Sequence, residues 1–245
     1  MSYGSAATKA QQAGINIQSP WMPVRTNWLR FCSEGTTKAF DRGSVIVRPG
    51  DLVDSLYVIV RGNLKYSICS PDGCSKTLAI LQQGGLFGEG PALSEPIHSC
   101  FSVEAVTDAE VCTLDPATAM KLVMGNEDLL KDTINSLSMK FVAASRQIED
   151  MAFRSVKQRL ASLFYTFLTS GGDNTNTIVL ELTHSELADL VGCGRVAATR
   201  ALQELQEEGL IHVGRGSIFL QSKQGLFTTA YPQYEGDDGS EASTG

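Results

Sequence analysis

The sequence predicts a mixed α+β chain: a β-rich N-terminal half, one long helix, and a small helical C-terminal unit that carries a β-hairpin. Three observations predict it. Short apolar runs of period two, cut by glycines and turn residues, fill residues 36–114. A stretch without proline or glycine follows over 126–153, with apolar residues spaced alternately by four and three. Two short helical patterns joined by Gly192-Cys193-Gly194, then two alternating runs, occupy residues 183–220. With 245 residues, 42% of them hydrophobic and 19% charged, the chain can bury a sizeable core in one or two domains and is not disordered as a whole. No apolar run approaches the roughly 20 residues of a membrane helix, and the N-terminus lacks the charged-apolar-small succession of a secretion signal. The expectation is a cytoplasmic protein with no membrane partner.

Taken in order, residues 1–27 read as a flexible N-terminal arm leading into a short helix with Trp28 and Phe31. Residues 44–47, 56–60, 64–68, 77–81, 101–105 and 110–114 read as strands. Their turns include Pro49-Gly50-Asp51, Arg61-Gly62, Pro71-Asp72-Gly73 and Gly84-Gly85, a spacing typical of a sandwich or barrel. Asp115 suits a helix cap and Pro116 its first turn. The long helix places Leu130, Ile134, Leu137, Phe141, Ala144, Ile148 and Met151 on one seam, a heptad pattern held for about three heptads. At 1.5 Å per residue it runs roughly 40 Å, too long to bury within one small domain, so the seam predicts a parallel homodimer. A further helix carries Val156, Leu160, Leu163, Phe164 and Phe167 and ends at 171–174, before a strand at 177–182.

Thr183 and Glu186 form a capping box opening a helix over 185–191 with Leu187, Leu190 and Val191 apolar. After the glycine turn a second helix spans 195–208, buries Val196 or Ala198 with Leu202 and Leu205, and closes at Gly209. Runs 211–213 and 217–220 form a hairpin around Gly214-Arg215-Gly216. Helix, glycine turn, helix and β-wing make a winged helix-turn-helix. The domains are then the arm, 1–27; a β-domain, 28–125; the dimerisation helix, 126–153; the winged helix-turn-helix, 154–222; and an acidic disordered tail, 223–245.

The chemistry of the C-terminal unit suits double-stranded DNA. Arg195, Val196, Ala197, Thr199, Arg200 and Gln203 lie at the front of the second helix or off its apolar stripe. Arginine pairs bidentately with guanine in the major groove, and the small Ala197 would admit a thymine methyl. His184, Ser185 and the wing's Arg215 are positioned to meet phosphates. The formal charge of −7 argues against a surface that coats nucleic acid but leaves room for one such face. No nucleophile elbow, P-loop or metal-spaced His/Cys set points to an enzyme. The six cysteines, Cys32, Cys69, Cys74, Cys100, Cys112 and Cys193, contain no C-x-x-C pair and are expected as reduced thiols. Cys69 and Cys74 flank a turn and invite the idea of a hairpin disulfide.

Gly192 to Arg195 with Arg200, Leu202, Leu205, Gly209, Leu210 and Ile211 resembles the helix-turn-helix of the Crp/Fnr family of bacterial regulators. Gly43, Ile46, Gly50-Asp51, Leu56-Tyr57, Ile59, Gly62 and Leu64 resemble that family's cyclic-nucleotide-binding double-stranded β-roll. Phe87-Gly88-Glu89 resembles the start of its phosphate-binding cassette, and Met151-Ala152-Phe153 its junction with the DNA domain. The resemblance implies a homodimeric transcriptional regulator that senses a small effector in the β-roll and binds a palindromic operator, with RNA polymerase as a further partner if it activates.

The implied effector site comprises Gly88, Glu89, His98, Ser99 and Cys100 from the cassette region and Phe141, Ala144 and Ser145 from the long helix. Departures from the family pattern point away from cAMP. Ser99 stands where cAMP-binding members place an arginine, Cys100 where they place a hydroxyl, and Ala144 where they place one of two base-contacting hydroxyls. No Arg or Lys lies between Lys76 and Lys121. On the DNA side, Val196 replaces a family glutamate. Two alternatives stay open. His98 to Ala105 resembles the CO-sensing haem regulators around their iron-ligating histidine, which implies a haem gas sensor using His98. The other is a cAMP-responsive regulator with a degenerate cassette. An organic acid or aromatic effector, as in the halogenated-phenol-sensing branch, fits equally.

Overall fold

The computed structural model describes residues 21–22, 26–70, 74–170, 179–180, 182–214 and 217–232. The chain divides into two units, one spanning Pro20–Ile148 and a second beginning at Glu149.

In the first unit the period-two runs form a β-roll. One sheet has the order β1-β7-β6-β10-β3, built from Trp21–Met22, Ser75–Leu81, Leu64–Cys69, Ser102–Ala105 and Val45–Val47. The other has the order β2-β11-β5-β8, built from Thr36–Phe40, Ala109–Leu114, Leu56–Arg61 and Leu86–Phe87. A two-stranded ribbon pairs β4 (Leu52–Val53) with β9 (Ile97–His98). Strand alternation assigns the faces. On β5, Tyr57 and Ile59 point inward with Val47, Leu64, Leu81, Val103 and Val111. Leu56 and Val58 point outward into a second core with Trp28, Cys112, Leu114, Ala119 and Leu129. That outer core is covered by a 3₁₀ helix (Trp28–Glu34), α1 (Glu89–Leu93), α2 (Pro116–Gly125) and the start of α3 (Glu127–Phe153). Asp115 caps α2, accepting from the Thr118 backbone N–H at 3.0 Å and its hydroxyl at 2.7 Å, which holds the carboxyl below its usual range.

The expected loose arm does not extend to residue 27. Trp21–Met22 pair in parallel with Ile80–Leu81, and the Asn27 backbone N–H donates to Asp132 Oδ2 at 2.6 Å. Trp28 is fully buried, its indole N–H donating to Thr133 Oγ1 at 3.2 Å. Residues 1–20 and 23–25 lie outside the described residues. The hairpin disulfide is also corrected. The β6–β7 register pairs Cys69 with Ser75, and the Ser70 N–H donates to the Cys74 carbonyl at 2.8 Å, so the pleat sends the two thiols to opposite faces.

In the second unit, α4 (Val156–Ser170), α5 (His184–Val191), α6 (Arg195–Glu207) and α7 (Lys223–Ala230) surround a core of Leu160, Phe164, Leu187, Leu202, Leu205 and Ile218. A sheet of order β12-β14-β13 (Val179–Leu180, Ser217–Leu220, Ile211–Gly214) forms the wing. Helix α7 corrects the disordered tail expected from residue 223. Ser222 Oγ caps it, accepting from the Gly225 N–H at 3.1 Å, and Leu226, Ala230 and Tyr231 are buried. Tyr231 closes the join with a 3.0 Å hydroxyl contact to Ser162 Oγ. The acidic stretch after 234 lies outside the described residues, as do the helix end at 171–174 and part of the strand expected at 177–182.

Trp28→Ala is expected to destabilise the first unit by about 3–5 kcal/mol, since it empties a fully enclosed site. Thr133→Val removes the indole's acceptor together with the hydroxyl's own 2.7 Å bond to the Leu129 carbonyl and should cost about 1–2 kcal/mol. Urea denaturation followed by tryptophan and far-UV signals checks both.

Candidate functional site

Two sites emerge, one in each unit. In the second unit the capping box is complete: Thr183 Oγ1 accepts from the Glu186 N–H and Glu186 Oε2 accepts from the Thr183 N–H. Helix α5 ends at Gly192 with φ +70°, the left-handed conformation that glycine adopts without penalty. Arg159 of α4 donates to the carbonyls of Val191 (2.7 Å) and Gly192 (3.2 Å), satisfying acceptors that the helix end leaves open. The turn therefore rests on a charged clamp from a third helix. Sequence reasoning missed it; the polar Arg159 directly before buried Leu160 is the signal that could have revealed it.

Helix α6 leaves Gly194 with Ala198, Ala201, Leu202 and Leu205 buried. Ala198 rather than Val196 turns inward; Val196 is 84% exposed. Arg195, Val196, Ala197, Arg200 and Gln203 share the exposed side. No acidic residue occupies the first turn, so the positive end of the helix dipole faces outward uncompensated. Arg200 is 83% exposed and lies 3.4 Å from Glu204 one turn on, a pair weak enough to yield to a stronger anion. Thr199 Oγ1 donates to the Arg195 carbonyl (3.0 Å), so His184 Nδ1 is the donor in its 3.0 Å bond to that hydroxyl. Ser185 is exposed on the same helix start. Arg215 lies outside the described residues.

In the first unit a cavity of about 160 Å³ opens inside the β-roll. Of the expected effector residues it gathers Gly88, Glu89 and Ser99. Gly88 has φ +76°, and a Cβ there would meet the Ser55 carbonyl at 2.3 Å, so glycine is required for α1 to start here and drop Glu89 into the interior. Glu89 is 3% exposed. Its Oε1 accepts from Ser136 Oγ at 2.7 Å and from the ammonium of Lys140, which also donates to the Leu86 carbonyl at 2.8 Å. Ser99 uses its hydroxyl on its own turn, accepting from the Phe101 N–H and donating to the Phe101 carbonyl, each at 3.0 Å.

His98 and Cys100 are exposed and stand outside the cavity wall. The β4–β9 ladder turns His98 outward, where Nδ1 contacts the Gly50 carbonyl at 3.0 Å. That placement does not fit an iron ligand inside the roll. Phe141, Ala144 and Ser145 are likewise absent from the wall; α3 contributes Leu137 and Lys140 instead. The reason is helical phase. The buried stripe runs Leu129, Thr133, Ser136 and on to Lys140, and Phe141 lies about 100° further round. Lys140, a cation extending that buried stripe, is the functional residue the sequence reading passed over.

Residues 37–126 match the family model for the cyclic nucleotide-binding domain, and residues 158–227 match that for the Crp-like helix-turn-helix domain. The chain is 30% identical over 204 residues to the transcriptional regulator SdrP of Thermus thermophilus, covering 82% of this chain and 96% of that protein. It is 24% identical over 183 residues to the cAMP-activated global transcriptional regulator CRP of Pasteurella multocida, covering 74% and 88%. The solved structure of the c-di-GMP responsive global regulator CLP of Xanthomonas campestris superposes with a TM-score of 0.72 at 22% identity, covering 79% of this chain and 97% of that one. These findings define a DNA-binding transcriptional regulator with a cyclic-nucleotide-binding-like domain. The chain belongs to the Crp/Fnr family.

Two outcomes follow from the geometry. Lys140→Met leaves Glu89 buried without its counter-ion and is expected to cost about 3–5 kcal/mol, whereas Lys140→Met with Glu89→Leu should recover most of that loss; equilibrium unfolding distinguishes them. Burial and the neighbouring Cys112 push the Cys32 thiol up to about 12. At pH 8 a maleimide should therefore label exposed Cys69, Cys74 and Cys100 while Cys32 and buried Cys112 stay unmodified, as peptide mass mapping reads directly.

Proposed function

We propose that this regulator works as a parallel homodimer, binds a two-fold symmetric operator through α6, and responds to a small effector in the β-roll that is not a cyclic nucleotide. The dimer reading is supported by the seam on α3: Leu130, Ile134, Leu137, Phe141, Ile148 and Met151 are all exposed in the single chain, Phe141 at 74%. Such a continuous apolar heptad face on a surface helix marks an association surface. Two copies would set two α6 helices for successive major grooves.

The observation that carries the effector reading is the commitment of Lys140 to Glu89. It is the one basic residue among the described residues lining the cavity, and no guanidinium is present to take a cyclic phosphate. The relatives, one cAMP-activated and one c-di-GMP responsive, illustrate that this fold serves more than one ligand. Because α3 carries both the cavity residues Leu137 and Lys140 and the exposed seam, a ligand that prefers one setting of the helix shifts the dimer equilibrium by its differential affinity. His98, exposed and tied to Gly50, gives no support to the haem alternative.

Arg195→Ala and Arg200→Ala should each weaken specific DNA binding by about 1–3 kcal/mol, or roughly 5- to 150-fold, in gel shifts at fixed salt. A seam variant, Phe141→Glu with Ile148→Glu, should sediment as a monomer and lose DNA affinity by at least about 100-fold. A variant that remained dimeric, or that bound DNA as well when monomeric, would remove the seam from the account.

A further inference from the structure

Resting on the reading of the β-roll cavity as the effector site, we propose that its ligand is a small uncharged molecule, one ring bearing a single hydroxyl or carboxamide group. Size is the first consideration. The pocket is open on one side and holds about 160 Å³, room for a ring the size of benzene, which fills an apolar cavity of roughly 150 Å³. Its wall is mostly apolar, with Val47, Val53, Phe87, Ile97, Phe101 and Val103. Phe87 and Phe101 are held rigid by stacking on Tyr57 and Tyr66 at centroid distances of 4.5 and 4.6 Å.

Charge sets the second limit. The wall carries one carboxylate, Glu89, and one ammonium, Lys140, and each already neutralises the other. An anionic ligand drawn to Lys140 would meet Glu89 at the same place and leave a net negative charge inside the roll. A cationic ligand drawn to Glu89 would leave a net positive one. Hydrogen-bond capacity sets the third. Glu89 Oε1 is fully used by Ser136 and Lys140, but among the described residues nothing donates to Oε2. Lys140 spends two of its three donors, on Leu86 and Glu89. Ser99 spends its donor and one lone pair on its own turn and keeps one acceptor site. The ion pair thus leaves one acceptor and one donor open, beside the hydroxyl of Tyr66 and the remaining lone pair of Ser99, and a hydroxyl or carboxamide supplies the complementary donor and acceptor without adding charge.

The test uses the full chain and three near-isosteric probes, benzamide, benzoate and benzylammonium, titrated calorimetrically at pH 7.5. Benzamide is expected to bind at least about tenfold more tightly than either ion. Glu89→Gln keeps the shape, removes the carboxylate and leaves Lys140 unbalanced, so the order should invert in favour of benzoate by at least about tenfold. Benzoate or benzylammonium binding most tightly to the unmodified chain would overturn the proposal, as would no binding of any probe up to about 10 mM or an unchanged order in Glu89→Gln. A thermal melt checks that the variant is folded; if it is not, the unmodified chain's order alone decides. DNA binding of the same preparation is read separately by gel shift. Lost probe selectivity overturns the ligand class alone, and a probe that binds with the expected order but leaves DNA affinity unchanged overturns the effector-site reading alone.

Discussion

One helix has to satisfy two surfaces at once, and the rest of the molecule follows from how α3 does so. One stripe, Leu129, Thr133, Ser136 and Lys140, faces the β-roll, while the heptad through Ile134, Phe141 and Ile148 stays bare. The point that fixes the rotation is the pair between Lys140 and Glu89. A buried ion pair contributes little net stability, because desolvation offsets most of the attraction, yet losing one partner is strongly unfavourable. Such a pair therefore serves register better than strength. It ties α3 to α1 and so helps set which residues wall the cavity and which apolar residues stay exposed.

The DNA-facing unit solves a similar problem with backbone acceptors instead of side-chain charge. A helix-turn-helix needs two helices joined by a sharp turn, and a sharp turn strands carbonyl groups at the end of the first helix. Gly192 supplies the left-handed residue, and Arg159 donates to the stranded carbonyls from α4. With the turn held this way, the buried alanines of α6 let it pack closely against its neighbours while the arginines project from the opposite side. The bond between His184 and Thr199 adds a second tie between α5 and α6, which orients the imidazole at the helix start rather than leaving it to solvent.

What could be read from the sequence was local. Period-two runs found the main strands, Asp115 and Thr183 found their caps, and the glycines found the turn and the close of α6. The winged helix-turn-helix was legible in this way, the β-domain only as a sandwich or barrel until the resemblance named it a β-roll, and the exposed arginine face followed from the apolar stripe. The cavity was not, since its ion pair joins residues 51 apart and neither partner signals the other. Phe141, Ala144 and Ser145 were expected at the site from the resemblance, by alignment with the family's base-contacting positions, and the single chain's cavity is lined by Leu137 and Lys140 instead. His98 was misleading because its direction is set by a ladder of two-residue strands, β4 and β9, too short to leave a period. Helix α7 was missed because eight residues carrying Leu226 and Phe227 sit directly before an acidic end that reads as solvent-exposed.

The central claim is that two copies of this chain read DNA together through paired α6 helices. Selection of bound duplexes from a random pool, using the full-length chain, tests it most directly. The account predicts enrichment of two inverted half-sites whose centres lie about one helical turn, roughly 34 Å, apart. Enrichment of a single asymmetric half-site would contradict it.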